Sequence, residues 1–248
     1  MSDPASPHLV KSFEQQLARL QDKVVEMGGA VENQLAEAAA AVLAKDSDAA
    51  LRAVESDPQV DTIEREIEQM VIRLLALRQP LAADLRRIVA ALKISTDLER
   101  IGDYAANAAK RSIVLNQFNL PYSLAGLANM LIRVQDNLKL AIDAVGDNDV
   151  EKAIEVWRSD EMVDDIYNAI FRELITYMME DPRNITPCTH LLFIAKNLER
   201  IGDHATNIAE TLHYAVRGEG IQGNRPKGDT SAYAVVRHRD LDGDDGQH

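Results

Sequence analysis

Leu98-Glu99-Arg100-Ile101-Gly102-Asp103 and Leu198-Glu199-Arg200-Ile201-Gly202-Asp203 are two copies of one string, set 100 positions apart. The match continues through Ala105, Asn107 and Ala109 against Ala205, Asn207 and Ala209. Identity this dense in two separated segments implies two copies of one structural unit. Each copy places Glu and Asp at i and i+4 and Asn at i+8, which share one face of a helix. Two carboxylates one turn apart repel, at a cost of a few tenths of a kcal/mol. A glycine inside a helix costs roughly 1 kcal/mol relative to Ala. The chain accepts both costs twice at equivalent positions, which makes the stretch the first place to look for function.

Outward from the string, the periodicity is helical throughout. Leu9, Phe13, Leu17, Leu20, Val24, Met27, Val31, Leu35, Ala38 and Val42 keep a 3/4 spacing and predict a long helix from His8 to about Ala44, with a possible kink at Gly28-Gly29. Lys45-Asp46-Ser47-Asp48 is a break and a new N-cap, followed by a short helix to Ser56. Pro58 suits a first helical turn, and Val60, Ile63, Ile67, Met70, Val71, Leu74 and Leu75 mark a second long helix ending near Arg78. After the Gln79-Pro80 turn, a third long helix to Leu115 carries the first string.

The second half repeats the plan. A long helix from Tyr122 to Val145 is followed by a break at Gly146–Asp149 and a short helix from Val150 to Trp157. Ser159-Asp160 opens the next long helix, to Met179, and Asp181-Pro182, extended by Asn184 to Pro187, is the turn. The last helix carries the second string to about Val216. The expected fold is all-α: two tandem, pseudo-symmetric antiparallel three-helix bundles over 8–116 and 121–216. Residues 1–7 read as a loose leader, and the glycine- and aspartate-rich stretch 217–248 as a disordered tail.

A second acidic pair precedes each string. Asp57 and Asp61 open the second long helix, and Asp160 and Asp164 take the same place in the second half, where Val60, Ile63 and Ile67 match Val163, Ile166 and Ile170. In an antiparallel hairpin, residues equidistant from the turn lie at one height. The point midway between Asp57/Asp61 and Glu99/Asp103 is Pro80, and that between Asp160/Asp164 and Glu199/Asp203 falls at Asp181-Pro182, both in expected turns. A register error of three residues is only about 4.5 Å. Each half therefore brings two carboxylate pairs to one level. Bound cations relieve the repulsion, and oxygen donors suit Mg, Mn, Fe or Zn. Asn107 and Asn207 are weaker candidates, offering carbonyl ligands one turn on. Gly102 and Gly202 are read as allowing close helix packing, Arg100 and Arg200 as orienting the carboxylates or pairing across the hairpin, and Glu64 and Glu68 as surface.

Composition bounds the function. The chain of 248 residues is 46% hydrophobic, 4% aromatic and carries a net charge of −13, which disfavours a nucleic-acid binder and suits cations or a basic partner surface. A single cysteine, Cys188, excludes an intrachain disulfide and indicates a reducing compartment. With neither a signal peptide nor an apolar run long enough for a membrane span, the expected location is the cytoplasm.

On the two strings and on Arg78-Gln79-Pro80-Leu81-Ala82-Ala83-Asp84-Leu85-Arg86, the chain resembles the PhoU family of phosphate transport system regulatory proteins, over about residues 7 to 216. The resemblance implies multinuclear iron or zinc clusters held by the acidic pairs, here Asp57/Asp61, Glu99/Asp103, Asp160/Asp164 and Glu199/Asp203. It implies no catalysis. It implies contacts with the phosphate ABC transporter, through its ATPase subunit, and with the phosphate-sensing histidine kinase, and repression of the phosphate-starvation regulon when phosphate is plentiful. Membrane association comes only through those partners. Apart from the resemblance, a homodimer is expected because three-helix bundles with an Ala-rich face can pair. The chain departs from the family pattern in its tail after Arg217 and in the longer second turn. His204 stands where the first copy has Tyr104 and points away from the carboxylate face. One alternative is a structural helical adaptor. Another is a di-iron enzyme, which needs two Glu-x-x-His motifs where only Glu210-Thr211-Leu212-His213 fits.

Overall fold

Seven α-helices and one 3₁₀ turn make up the computed structural model, which describes residues 7–119, 123–223 and 225, with side chains from residue 12. The helices are α1 (Pro7–Leu43), α2 (Ser47–Glu55), α3 (Asp57–Arg78), α4 (Ala82–Leu115), α5 (Ala125–Asp147), α6 (Val150–Glu180) and α7 (Ile185–Arg217), with the 3₁₀ turn at Pro182–Asn184. There is no strand among the described residues. Helices α1, α3 and α4 pack together as one bundle, and α5, α6 and α7 as a second. The leader up to residue 6, residues 120–122 and the tail beyond 225 lie outside the described residues.

The N-caps repeat with the halves. Asp46 accepts from the backbone N–H groups of Asp48 and Ala49, and Asp149 from those of Glu151 and Lys152. Each satisfies donors that the first helical turn leaves without partners. Beyond this cap the halves diverge. Pro58 sits in the first turn of α3, so the chain breaks at Ser56 between α2 and α3. Glu161 occupies the equivalent place in the second half. With no ring to clash and no missing N–H, the expected short helix and its successor fuse into the unbroken α6.

The second turn is also shorter than expected. Asp181 accepts from the Arg183 backbone N–H, the 3₁₀ turn follows, and α7 has begun by Ile185. Pro187 therefore lies in the first turn of α7, where its missing N–H leaves no bond unmade. Helix α1 runs through Gly28-Gly29 without ending. Gly28 lies against Ile142 of α5, and a Cβ there would stand 2.8 Å from Ile142 Cγ2.

The two bundles join through α4 against α7, the most extensive helix contact, and through α1 against α5. Helix α4 buries Ala105, Ala106, Ala108 and Ala109, a set too wide for one face, so it packs on two sides. Ala205 and Ala209 of α7 are also buried. The Ala-rich faces on which a dimer was expected are thus covered within the chain. Asp97 of α4 pairs with His204 Nδ1 of α7 at 2.7 Å, and the guanidinium of Arg111 lies 4.0 Å from the Phe193 ring centroid. One hydrophobic core spans both bundles.

The reading of everything after Arg217 as disordered is corrected in part. Gly218, at φ 79°, closes α7 in the left-handed conformation that glycine adopts without penalty. The chain then turns back: His213 Nδ1 and the Glu219 carbonyl are 3.0 Å apart, and Gly223 lies beside Trp157.

Candidate cation sites

The first acidic level lies where the opening turns of α3 meet the middle of α4. Asp57 is half-buried, Asp61 exposed, Glu99 and Asp103 half-buried, and Asn107 exposed. Burial pushes the Glu99 carboxyl above its ordinary range, and the charges of Asp103, Glu64 and Asp61 add to the rise against Arg100. Burial likewise raises Asp103, helped by Asp57 and Asp61. The carboxylates of α3 therefore lie within electrostatic reach of the α4 pair. Glu64 joins them. It is half-buried and accepts from Thr96 at 3.2 Å, which corrects its reading as plain surface; Glu68 is exposed. Arg100 reaches both Glu99 Oε2 at 3.4 Å and Asp103 Oδ2 at 3.5 Å, from a side chain 53% exposed. Contacts this exposed contribute little.

Behind this level stands Gln34 of α1, buried to 1% exposure. Its Nε2 donates to Asp57 Oδ1 at 3.0 Å and to the Ala53 carbonyl at 3.0 Å, while its Oε1 finds no partner among the described residues. Gly102 makes room for it: a Cβ there would meet Gln34 Oε1 at 2.8 Å. In the second half the same glycine position, Gly202, faces Val163 at 3.3 Å. Both glycines admit a neighbour, as their spacing implied, but different ones. Gln34 was missed by sequence reasoning. Its signal was a polar residue on the apolar face set by Val31, Leu35, Ala38 and Val42, and the matching position in α5 is Asn137, also buried.

The second level is deeper. Asp160, Asp164 and Glu199 are buried, and Asp203 and Asn207 half-buried. Glu199 is raised by burial first, opposed by Lys196 and reinforced by Asp203 and Asp164. Its Oε1 accepts from Lys196 Nζ at 2.8 Å, and its Oε2 is buried without a partner among the described residues. Thr206, where the first copy has Ala106, donates to Asp160 Oδ1 at 2.9 Å. A cation already stands here. The guanidinium of Arg225 binds Asp160 Oδ2 at 2.7 Å, Asp203 Oδ1 at 2.6 Å and Asn207 Oδ1 at 3.0 Å. Burial alone would lower the Arg225 pKa, but its bond to Asp160 and the charges of Asp160, Asp203 and Glu210 drive it up. Nothing in its glycine-rich surroundings singled Arg225 out in the sequence.

Among the described residues, no group of three or more His, Cys, Asp or Glu side chains is arranged as a metal cage. The donors nonetheless fit a cation. They are oxygens, they repel one another at both levels, one buried oxygen of Glu199 lacks a partner, and the second level holds a guanidinium as a stand-in ion. Glu210 and His213 of the single Glu-x-x-His motif have other partners. Glu210 Oε1 accepts from Trp157 Nε1 at 3.0 Å, His213 faces Glu219, His204 pairs with Asp97, and Cys188 is buried. Arg200 lies over the Tyr104 ring, 5.5 Å from its centroid, rather than on the carboxylates of its own string. No helix among the described residues is long and apolar enough to cross a membrane.

Comparison with known proteins gives a consistent result. The family model of the PhoU domain matches twice, at residues 24–112 and 127–212. A phosphate-specific transport system accessory protein PhoU homolog from Caulobacter vibrioides is 52% identical over 221 residues, 89% of this chain and 96% of that protein. Its counterpart from Rhizobium meliloti is 45% identical over 226 residues, covering 91% of this chain and 95% of the other. The crystal structure of PhoU from Pseudomonas aeruginosa superposes with a TM-score of 0.81 at 40% identity, over 84% of this chain and all of that one. The phosphate transport system regulatory protein PhoU from Streptococcus pneumoniae gives 0.78 at 30% identity, over 85% of this chain and 99% of the other.

Proposed function

The chain belongs to the PhoU family, and on that premise we propose that it is an accessory regulatory protein of a phosphate-specific transport system. What supports the reading is the double match to the PhoU domain in a chain 52% identical to a phosphate-specific transport system accessory protein homolog, with an acidic pair on the repeated string of each half. In this reading the protein works in the cytoplasm. It contacts the ATPase subunit of the phosphate ABC transporter and the phosphate-sensing histidine kinase, and keeps the phosphate-starvation regulon off when phosphate is plentiful. It acts through its surfaces and catalyses no reaction.

Metal belongs to the same reading. Asp57, Asp61, Glu99 and Asp103 would hold iron or zinc at the first level, with Glu64 at its edge. Asp160, Asp164, Glu199 and Asp203 would do so at the second. Bound metal supplies positive charge that offsets the mutual repulsion of these carboxylates. Gln34 keeps Asp57 turned to the level, and Thr206 does the same for Asp160. A homodimer remains part of the proposal, on surface other than the buried alanines.

The test is genetic and direct. Deleting the gene is expected to raise phosphate-starvation transcription in phosphate-replete cells, and the Glu99→Gln/Asp103→Asn variant, expressed at normal level, to restore repression only in part. Unchanged phosphate-regulated transcription in the deletion strain would sink the regulatory reading.

A further inference from the structure

We propose that Arg225 is an internal substitute cation that holds the second acidic level closed, so that the two levels of one chain load metal unequally. The first level takes metal directly. The second takes it only when the segment after α7 gives way. This inference rests on the reading of both levels as cation sites.

The contacts set metal and arginine in competition for the same oxygens. Arg225 Nε binds Asp160 Oδ2 at 2.7 Å, and Nη2 reaches Asp160 Oδ1 at 3.2 Å, Asp203 Oδ1 at 2.6 Å and the Asp203 carbonyl at 3.2 Å. Nη1 takes Asn207 Oδ1 at 3.0 Å. These are the side chains of α6 and α7 that would ligate a metal, and a lone pair committed to an N–H is not free for one. The planar fork matches carboxylate geometry, so the competition is by shape as well as charge.

Among the described residues, the first level has no such plug. Arg100 approaches Glu99 and Asp103 only at 3.4 and 3.5 Å, from its own helix, with its side chain 53% exposed. The plug at the second level is also incomplete. Glu199 Oε2 remains buried without a partner among the described residues, although Lys196 holds the other oxygen. A metal that displaced Arg225 would have this oxygen as a further donor.

The segment that carries Arg225 is held lightly. Gly218 ends α7, the Glu219 carbonyl meets His213, and Gly223 rests beside Trp157. Residues 218–223 are exposed except for the half-buried Ile221, a condition for low-energy local opening. A site open for only a fraction of the time binds with its affinity reduced by that fraction. Arg225 thus sets the threshold at which the second level fills, and filling it releases the strap from α6 and α7.

Trp157 is the only tryptophan of the chain and lies under the strap, so its fluorescence reports release. The experiment titrates the full chain, stripped with chelator, with Zn²⁺. It follows bound zinc by equilibrium dialysis and Trp157 emission in parallel, with circular dichroism confirming that each variant folds. Wild type is expected to show a tight class of sites lost in Glu99→Gln/Asp103→Asn and a weaker class lost in Asp160→Asn, or in Asp203→Asn should Asp160→Asn not fold. Trp157 emission should shift only as the weaker class fills. In Arg225→Ala the weaker class should tighten by about tenfold or more, with the first class unchanged. Its Trp157 emission should already be shifted before zinc is added. Arg225→Lys should fall between the two.

Unchanged second-class affinity in Arg225→Ala overturns the proposal while the metal reading stands. Absence of zinc binding at both levels, in wild type and Arg225→Ala alike, overturns the metal reading and this proposal with it.

Discussion

Gln34 Nε2 donates a 3.0 Å hydrogen bond to Asp57 Oδ1, tying the middle of α1 to the first acidic level. The bond fixes the carboxylate's orientation from behind, as outer-shell partners do for ligands in metal sites. Gln34→Met keeps length and volume but cannot donate. We expect it to lower zinc affinity at the first level by about 10-fold or more, leaving the second level unaffected. Equilibrium dialysis at low free zinc measures this, and equal binding by both proteins would remove Gln34 from the site.

Adjacent glycines in α1 should respond oppositely to the same change. A Cβ at Gly28 would lie 2.8 Å from Ile142 Cγ2, on a branched side chain with little room to yield, whereas one at Gly29 meets nothing within 4 Å. Gly28→Ala is expected to destabilise by about 1–3 kcal/mol through overpacking. Gly29→Ala should stabilise by roughly 0.5–1 kcal/mol through helix propensity. Urea unfolding midpoints of the two variants should move to opposite sides of wild type.

Acid should relieve the metal-free protein at its acidic levels. Burial and neighbouring carboxylates raise Glu99, Asp103 and Glu199 above their unfolded values, so the folded chain binds their protons more tightly. Their contribution to stability therefore falls as pH rises from the ordinary carboxylate range through the raised values, and is least favourable at neutral pH. In chelator-treated protein at neutral pH, Glu99→Gln should stabilise by a few tenths of a kcal/mol, the scale of one like-charge pair. Denaturant unfolding at neutral pH and near the carboxylate range measures it; a stability gain from Glu99→Gln that does not diminish on acidification counts against the repulsion.

The junction of the bundles has its own test. Asp97 Oδ1 and His204 Nδ1 are 2.7 Å apart across α4 and α7. Asp97→Ala should cost about 1–2 kcal/mol of unfolding free energy, as the loss of a partly buried hydrogen bond to a charged group does. Zinc affinity should not move, since neither residue belongs to an acidic level. A change in zinc affinity without a change in stability would contradict this division of roles.

The sequence carried the architecture because helix period, caps and turns agree along most of the chain. Pro80 lies midway between Asp57/Asp61 and Glu99/Asp103, so the turn between α3 and α4 could be read from the sequence. What it did not carry turned on single residues. Pro58 splits α2 from α3, and Glu161, which lacks proline's constraints, lets α6 run on, a difference that similar periodicity concealed. Gln34 hid among apolar neighbours because one polar side chain scarcely disturbs a helical stripe. Arg225 was invisible for a different reason: its role depends on the chain folding back over α6 and α7, and a run rich in glycine offers no periodicity from which to read that return.

The central claim is that the acidic levels hold cations, and anomalous scattering tests it most directly. Crystals of the full chain grown with iron or zinc, measured on both sides of the metal edge, should show a peak bounded by Asp57, Asp61, Glu99 and Asp103. A peak among Asp160, Asp164, Glu199 and Asp203 should appear only where Arg225 has left them. Full metal loading in solution with no anomalous peak at either level would contradict the account.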